Sequence, residues 1–87
     1  NNQLNIDPNP YTGKTSISYT LRENTFVSIK IVNLLGKRIQ TLANERQTKG
    51  MHQYTFSAKD IGFAPGIYIL KLTAGSNKYN RIFVELR

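Results

Sequence analysis

The chain has 87 residues, enough for one domain with a modest core, and its 39% hydrophobic and 20% charged residues exclude a disordered class. It contains no apolar run near the roughly 20 residues of a spanning helix, and no cysteine, which excludes disulfides and thiolate metal sites. Twelve Lys and Arg against five Asp and Glu give a net charge of +7, which attracts anions such as nucleic acid, lipopolysaccharide or acidic lipid. The basic residues are spread almost evenly along the chain, so the favoured interpretation is a solvated, solubilising surface.

Two-residue alternation of apolar and polar side chains begins near the N-terminus. Residues 4–6 form a short apolar segment, and the prolines of residues 7–10 favour extended geometry, which predicts a stiff corner. Residues 14–21 and 25–32 are rich in β-branched side chains on one face. This pattern is typical of half-buried strands.

The middle of the chain predicts a hairpin followed by a polar connection. Asn33 favours the start of a type I turn and Gly36 its close, so a strand over residues 37–42 should pair back on the preceding one. Of the two leucines between them, Leu34 and Leu35, we expect at least one to fold over the end of the sandwich. A helix is the competing interpretation, and the flanking β-branched residues weigh against it.

Residues 44–50 are polar throughout and predict an exposed connection before a strand over residues 52–56. Pro65 cannot donate to a central ladder, so residues 57–66 are predicted to cross over between strands. Residues 67–73 and 79–86 form two more strands around a turn at residues 75–77. In the last strand we expect one face to carry Ile82, Val84 and Leu86, and the other Arg81, Phe83 and Glu85.

Seven strands at a spacing of about ten residues predict an all-β fold, a seven-stranded antiparallel immunoglobulin-like β-sandwich. A small barrel is the alternative architecture. We expect residues 1–87 to form this single domain, cut from a longer polypeptide because the first residue is not Met. The predicted shared core contains Ile17, Tyr19, Ile29, Ile31, Tyr68, Leu70 and Leu72.

The residue inventory argues against catalysis. His52 is the sole histidine and the chain has no cysteine, so a Cys-His pair is impossible, and the five acids are scattered. One histidine and single acids do not make a metal site, and Gly13-Lys14-Thr15 lacks the first glycine of a phosphate-binding loop because Pro8 stands there. We therefore predict no enzyme activity, no cofactor and no metal. Nucleic-acid binding is also not expected, since a sandwich core would claim the aromatic residues that could stack on bases.

The motifs resemble a known family when they are taken in order. Residues 8–10 (PNP), 27–31 (VSIKI), 33–38 (NLLGKR) and 65–68 (PGIY), with a basic, apolar end, are similar to the type A C-terminal sorting domain of Bacteroidetes type IX secretion cargo. The likeness covers residues 4–87. The sequence departs from the family at its end, where Asn80-Arg81 replaces a common Lys-Lys pair and Glu85 interrupts the last apolar run.

The resemblance implies a non-catalytic tag that directs attached cargo through the periplasm to the cell surface or the medium. It also implies partners: the upstream cargo domain, outer-membrane type IX components, and a sortase-like surface protease that removes the tag. The alternative is an immunoglobulin- or fibronectin-like spacer, or a carbohydrate-binding module of a surface enzyme. The residues expected to carry recognition or sorting are Pro65, Gly66, Tyr68, Lys78, Arg81 and Arg87.

The last strand is also a candidate for strand addition. Its alternation and the short turn before it predict a position at or near a sheet edge, where exposed main-chain groups are usually blunted by charge. We expect Lys78, Arg81 and Arg87 to do this, and a receptor docking there to displace only water. An edge-to-edge homodimer is the related expectation.

Overall fold

The computed structural model describes residues 4–87, and within them every regular element except one short 3₁₀ helix (Lys59–Ile61) is a strand. No helix in this part of the chain is long and apolar enough to cross a membrane. The strands in the described range are β1 (Asn5–Asp7), β2 (Tyr11–Thr12), β3 (Thr15–Leu21), β4 (Thr25–Val32), β5 (Arg38–Gln47), β6 (Gly50–Phe56), β7 (Gly66–Ala74) and β8 (Asn77–Leu86).

The strands form two sheets, one with the order β1-β3-β6 and the other β2-β8-β7-β4-β5. The all-β prediction is confirmed, but the prediction of seven strands that are all antiparallel was wrong in both number and direction. Residues 4–87 contain eight strands, and the additional one, β2, runs parallel to β8 through the pairs Tyr11–Glu85 and Thr12–Leu86. A two-residue strand is too short to produce an alternation signal.

The predicted core is confirmed. All seven of its residues are buried, because alternation places them on the inward faces of β3, β4 and β7. Tyr11, Phe56 and Phe83 complete the interior, where the Phe56 ring meets that of Phe83 edge-on with 5.7 Å between centroids.

Strand β5 is longer than predicted. Residues 44–47 continue it instead of forming an exposed connection, and Gln47 is buried. Opposite β4, the register skips Leu42 and Ile39, which marks two bulges. Each bulge shifts the alternation by one residue, so a strict period of two could not follow the strand.

The structure decides which face of β8 is inward, a choice that the predicted division of its residues into two faces left open. Phe83 pairs with buried Tyr68 and faces the core, whereas Ile82 pairs with Ile69 and is 64% exposed. Both faces of this strand carry apolar residues, so alternation alone could not choose between them. The register with β7 makes the choice.

The expectation for Leu34 and Leu35 was wrong as well. Both side chains are in solvent, 64% and 93% exposed. The turn is closed without them, since the Oδ1 of Asn33 accepts hydrogen bonds from the backbone N–H groups of Leu35 (2.9 Å) and Lys37 (3.0 Å). A turn held by an Asn side chain needs no apolar contact.

Candidate functional site

The first half of β8 lies at a sheet edge and the second half does not. Over residues 77–81 the strand pairs with β7, and no other strand of the described chain lies along its outer side. Further along, β2 pairs with Glu85 and Leu86. The edge predicted for the whole strand is therefore confined to its first half.

Asn9 covers the segment between these two parts. Its Nδ2 donates to the carbonyl of Ile82, and its Oδ1 accepts from the N–H of Val84, both at 3.1 Å. The side-chain amide thus extends the ladder as one peptide group of a neighbouring strand would. It also shows that the main-chain groups of Ile82 and Val84 point away from β7.

The same reasoning orients the free half of the strand. Main-chain groups change sides at each residue, so those of Asn80 point outward like those of Ile82. The carbonyl of Asn80 accepts a hydrogen bond from Nη1 of Arg81 at 3.1 Å. Arg81 therefore blunts the edge, and a docking strand would displace this side chain as well as water, which corrects the expectation of water alone.

The three basic residues predicted to act together do not form one cluster. Lys78 pairs with Thr73 and stands on the outer face of the sheet. Arg81 pairs with Leu70 and starts from the opposite face, while Arg87 follows the end of β8. All three are exposed.

The Pro65–Tyr68 motif acts as an anchor. Gly66 has a φ of +151° and begins β7 opposite Glu85. The Tyr68 ring is buried, and its hydroxyl donates to the carbonyl of Ala64, closing the loop on itself. Burial raises the pKa of this phenol. Of the three residues in this motif that were predicted to carry sorting, namely Pro65, Gly66 and Tyr68, Pro65 alone is exposed, and Tyr68 offers no surface to a partner.

Glu85 is the feature that sequence reasoning missed. It is 3% exposed and accepts hydrogen bonds from the Tyr11 hydroxyl (2.5 Å) and the N–H groups of Ala58 (2.7 Å) and Lys59 (3.1 Å). Burial, and then this hydrogen bond, raise the pKa of Tyr11 well above its ordinary value. The available signal was the alternation partner Phe83, two residues earlier on the same face.

His52 packs as an ordinary strand residue. Its ring stacks on Tyr19 at 5.4 Å between centroids, and its Nε2 lies 2.8 Å from the carbonyl of Thr48. Within residues 4–87, no group of three or more His, Asp and Glu side chains is arranged to hold a metal ion.

A family model described as "Secretion system C-terminal sorting domain" matches residues 5–85. The match includes β1 and nearly all of β8, and therefore both the free edge and the Glu85 network. The search of curated proteins found no match.

Proposed function

The chain belongs to the family of secretion system C-terminal sorting domains, and from this premise we propose that the free half of β8 is the surface that the secretion machinery reads. The domain is a sorting signal of the type IX system, which exports the attached cargo to the cell surface or the medium. The proposal concerns which part of the domain carries this signal.

The observation that carries the proposal is the outward-facing main chain at Asn80. No described strand pairs with it, and its carbonyl is held by Arg81, a flexible and exposed side chain. A partner strand that replaces this contact gains a ladder of main-chain hydrogen bonds. Lys78, Arg81 and Arg87 then steer an acidic receptor, which acts mainly on the association rate.

We infer further that the domain is not an enzyme. Its lone histidine is engaged by Tyr19 and Thr48, and its one buried carboxylate, Glu85, is occupied by three donors. The isolated domain is expected not to hydrolyse peptide, ester or glycoside substrates. A turnover that survives repurification and disappears in His52→Ala would contradict this.

We also propose four properties that go beyond the family match. They comprise a Bacteroidetes source, docking on outer-membrane type IX components, removal by a sortase-like surface protease, and pairing of two domains along the β8 edge. Pro65 and Gly66 take part by fixing the start of β7, on which β8 depends.

We also propose that the fold is of the immunoglobulin-like type. Without β2, seven antiparallel strands remain in a three-plus-four arrangement, β1-β3-β6 facing β8-β7-β4-β5. In the constant-type immunoglobulin domain the fourth strand of the first sheet is D. Here β5, the strand in the corresponding place in the chain, pairs with β4 in the other sheet.

Asn80→Pro tests the recognition surface. Proline removes the outward N–H of Asn80 without removing a bond to β7, so the fold should tolerate it as edge strands do. Asn80→Ala is the matched control, because it removes the side chain and keeps the N–H. The readout is the surface and medium yield of a cargo fusion in a type IX-competent bacterium.

We expect Asn80→Pro to leave cargo in the periplasm while Asn80→Ala is exported normally, with both variants melting near the parent temperature. Equal export of both variants would show that the main-chain edge at Asn80 is not part of the signal. A spacer module would gain support if deletion of the whole domain also left export unchanged.

A further inference from the structure

The outer faces of the two sheets differ in chemistry. On the three-stranded sheet the outward side chains are mostly polar, with Met51 as the one large apolar side chain and Asp7 as the one charged residue among those of β1, β3 and β6. The five-stranded sheet instead presents lysines along one half and bare apolar side chains along the other. A solvated sandwich needs no such asymmetry.

The basic half is a three-lysine cluster: Lys30, Lys71 and Lys78. Lys30 lies directly opposite Lys71 on β4 and β7, and Lys78 is one row away on β8. Like charges directly opposite on neighbouring strands are destabilising. The residues around the shallow depression of about 250 Å³ between them include no carboxylate; they are Ser28, Lys30, Lys71, Leu72, Thr73, Lys78 and Asn80.

The apolar half begins one row further along the same strands. Val32, Ile69 and Ile82 form a row across β4, β7 and β8, and the next row pairs Ile67 with Val84. Ile82 is 64% exposed and Ile67 is 43% exposed. Val32 is only 5% exposed, so the apolar stripe beside the lysines consists of Ile67, Ile69, Ile82 and Val84. Contiguous apolar patches of this kind mark interaction sites.

The β4–β5 turn extends this stripe past the end of β4. It follows Val32 directly, and it presents Leu34 and Leu35 at a convex tip with exposed Lys37 and Arg38 behind them. Asn33 fixes this turn, so the leucines are held in water by the local hydrogen bonds. Apolar side chains at a protruding tip with basic residues beside them are arranged as in interfacial membrane-binding segments.

We propose that the outer face of the five-stranded sheet docks on an anionic lipid bilayer. The lysine cluster meets the acidic headgroups, and the stripe with the Leu34-Leu35 tip enters the headgroup–acyl boundary. Five strands spaced about 4.8 Å apart give a face roughly 20 Å wide, and a broad face without a deep groove fits a planar surface. The outer face of the three-stranded sheet remains in water.

Co-sedimentation with vesicles tests this inference. The 87-residue chain is mixed with vesicles of phosphatidylcholine, or of phosphatidylcholine and phosphatidylglycerol in equal parts, at low and physiological salt. We expect binding to the anionic vesicles, little to the neutral ones, and weakening with salt. Lys71→Gln should lower the partition coefficient about fivefold, whereas Gln53→Glu, the same charge change on the opposite face, should change it less than twofold.

A second pair of variants tests the apolar contact. Leu35→Ser should weaken partition about fivefold or more, whereas Met51→Ser, at a 75% exposed residue of the three-stranded sheet, should have little effect. Failure of the parent chain to bind anionic vesicles at low salt would overturn the inference. Equal losses in both members of a pair would also overturn it, because binding would then follow net charge or total hydrophobicity and not this face.

The inference goes beyond the proposed recognition site and can fail separately. The lipid face uses outward side chains, whereas strand addition uses the main-chain edge at Asn80. We therefore expect Lys71→Gln and Leu35→Ser, which leave the main chain of β8 unchanged, to be exported like the parent chain in the cargo fusion. Loss of export in these variants would contradict the separation of the two surfaces.

Discussion

Glu85 is the residue on which three parts of the chain converge. From the end of β8 it binds the Tyr11 hydroxyl of β2 and two N–H groups at the start of the loop after β6. A buried carboxylate is costly unless hydrogen bonds compensate it, and here three do. The end of β8 is thereby fixed both to β2 and to the loop that follows β6.

Replacing Glu85 by Ala should destabilise the domain strongly. Tyr11, Ala58 and Lys59 would each lose an acceptor, and a buried unsatisfied donor costs about 1–3 kcal/mol. We expect a loss of at least about 2 kcal/mol in the free energy of unfolding, measured by urea denaturation. Glu23→Ala, at an exposed residue, is the control and should change stability by less than about 0.5 kcal/mol.

The buried phenols predict base lability. Burial raises the pKa of Tyr11 and Tyr19 well above the ordinary 10.0. A pKa raised in the folded state means that the stabilisation is fully present below pH 10 and declines as the pH rises above it. The melting temperature should thus fall steeply above about pH 10, and less steeply in Tyr19→Phe. A parallel decline in both proteins would exclude Tyr19 as a source.

Among the elements, β8 shows how a strand edge is divided between protection and exposure. Its end is covered by β2, its middle by the amide of Asn9, and its beginning by the Arg81 side chain alone. The protection of the main chain therefore decreases from the end of β8 toward its first half, where we propose that the receptor binds. Edge strands left entirely uncovered invite aggregation, so partial covering is the compromise that fits a docking edge.

Asn9→Ala should open the middle of this edge. The variant loses two hydrogen bonds, so we expect a cost of about 1–2 kcal/mol and faster amide hydrogen exchange at Val84. Asn9→Asp keeps the acceptor for Val84 and should retain most of that protection. Unchanged exchange in Asn9→Ala would show that the side chain does not cap the strand in solution.

On the scale of the whole molecule, the residues of β8 that we propose carry the signal are neighbours of those that hold the fold. Arg81 and Lys78 are exposed, and exposed charges contribute little stability. Their joint replacement by Ala should leave the melting temperature nearly unchanged and slow receptor association. Full export of the cargo fusion at an unchanged rate would show that neither charge is part of the signal.

Trimming the C-terminus separates the two roles. Deleting residues 86–87 keeps Glu85 and its three hydrogen bonds, whereas deleting residues 84–87 removes them. We expect the first truncation to stay folded and to leave cargo in the periplasm, and the second to unfold. Circular dichroism and cell fractionation of both truncations measure these outcomes. Full surface yield after the first truncation would contradict a role for Arg87 in sorting.

The sequence by itself determined the all-β class, the core of β3, β4 and β7, and the family. Those properties follow from local alternation and from motif order, which the chain carries without reference to distant contacts. The edge position of the last strand was predictable in part. A strand that follows a tight turn pairs with the strand before that turn, but the sequence does not show whether another strand pairs on its other side.

Only the tertiary structure decided the rest. Which face of β8 is inward depends on its register with β7, and both faces are apolar enough for either answer. Glu85 becomes a structural centre because Tyr11 and Ala58, 74 and 27 residues away, deliver donors to it. Leu34 and Leu35 stay in solvent because hydrogen bonds of Asn33 close their turn without any contact from the two leucine side chains. Long-range pairing has no local sequence period, so these features emerge only when the sheets assemble.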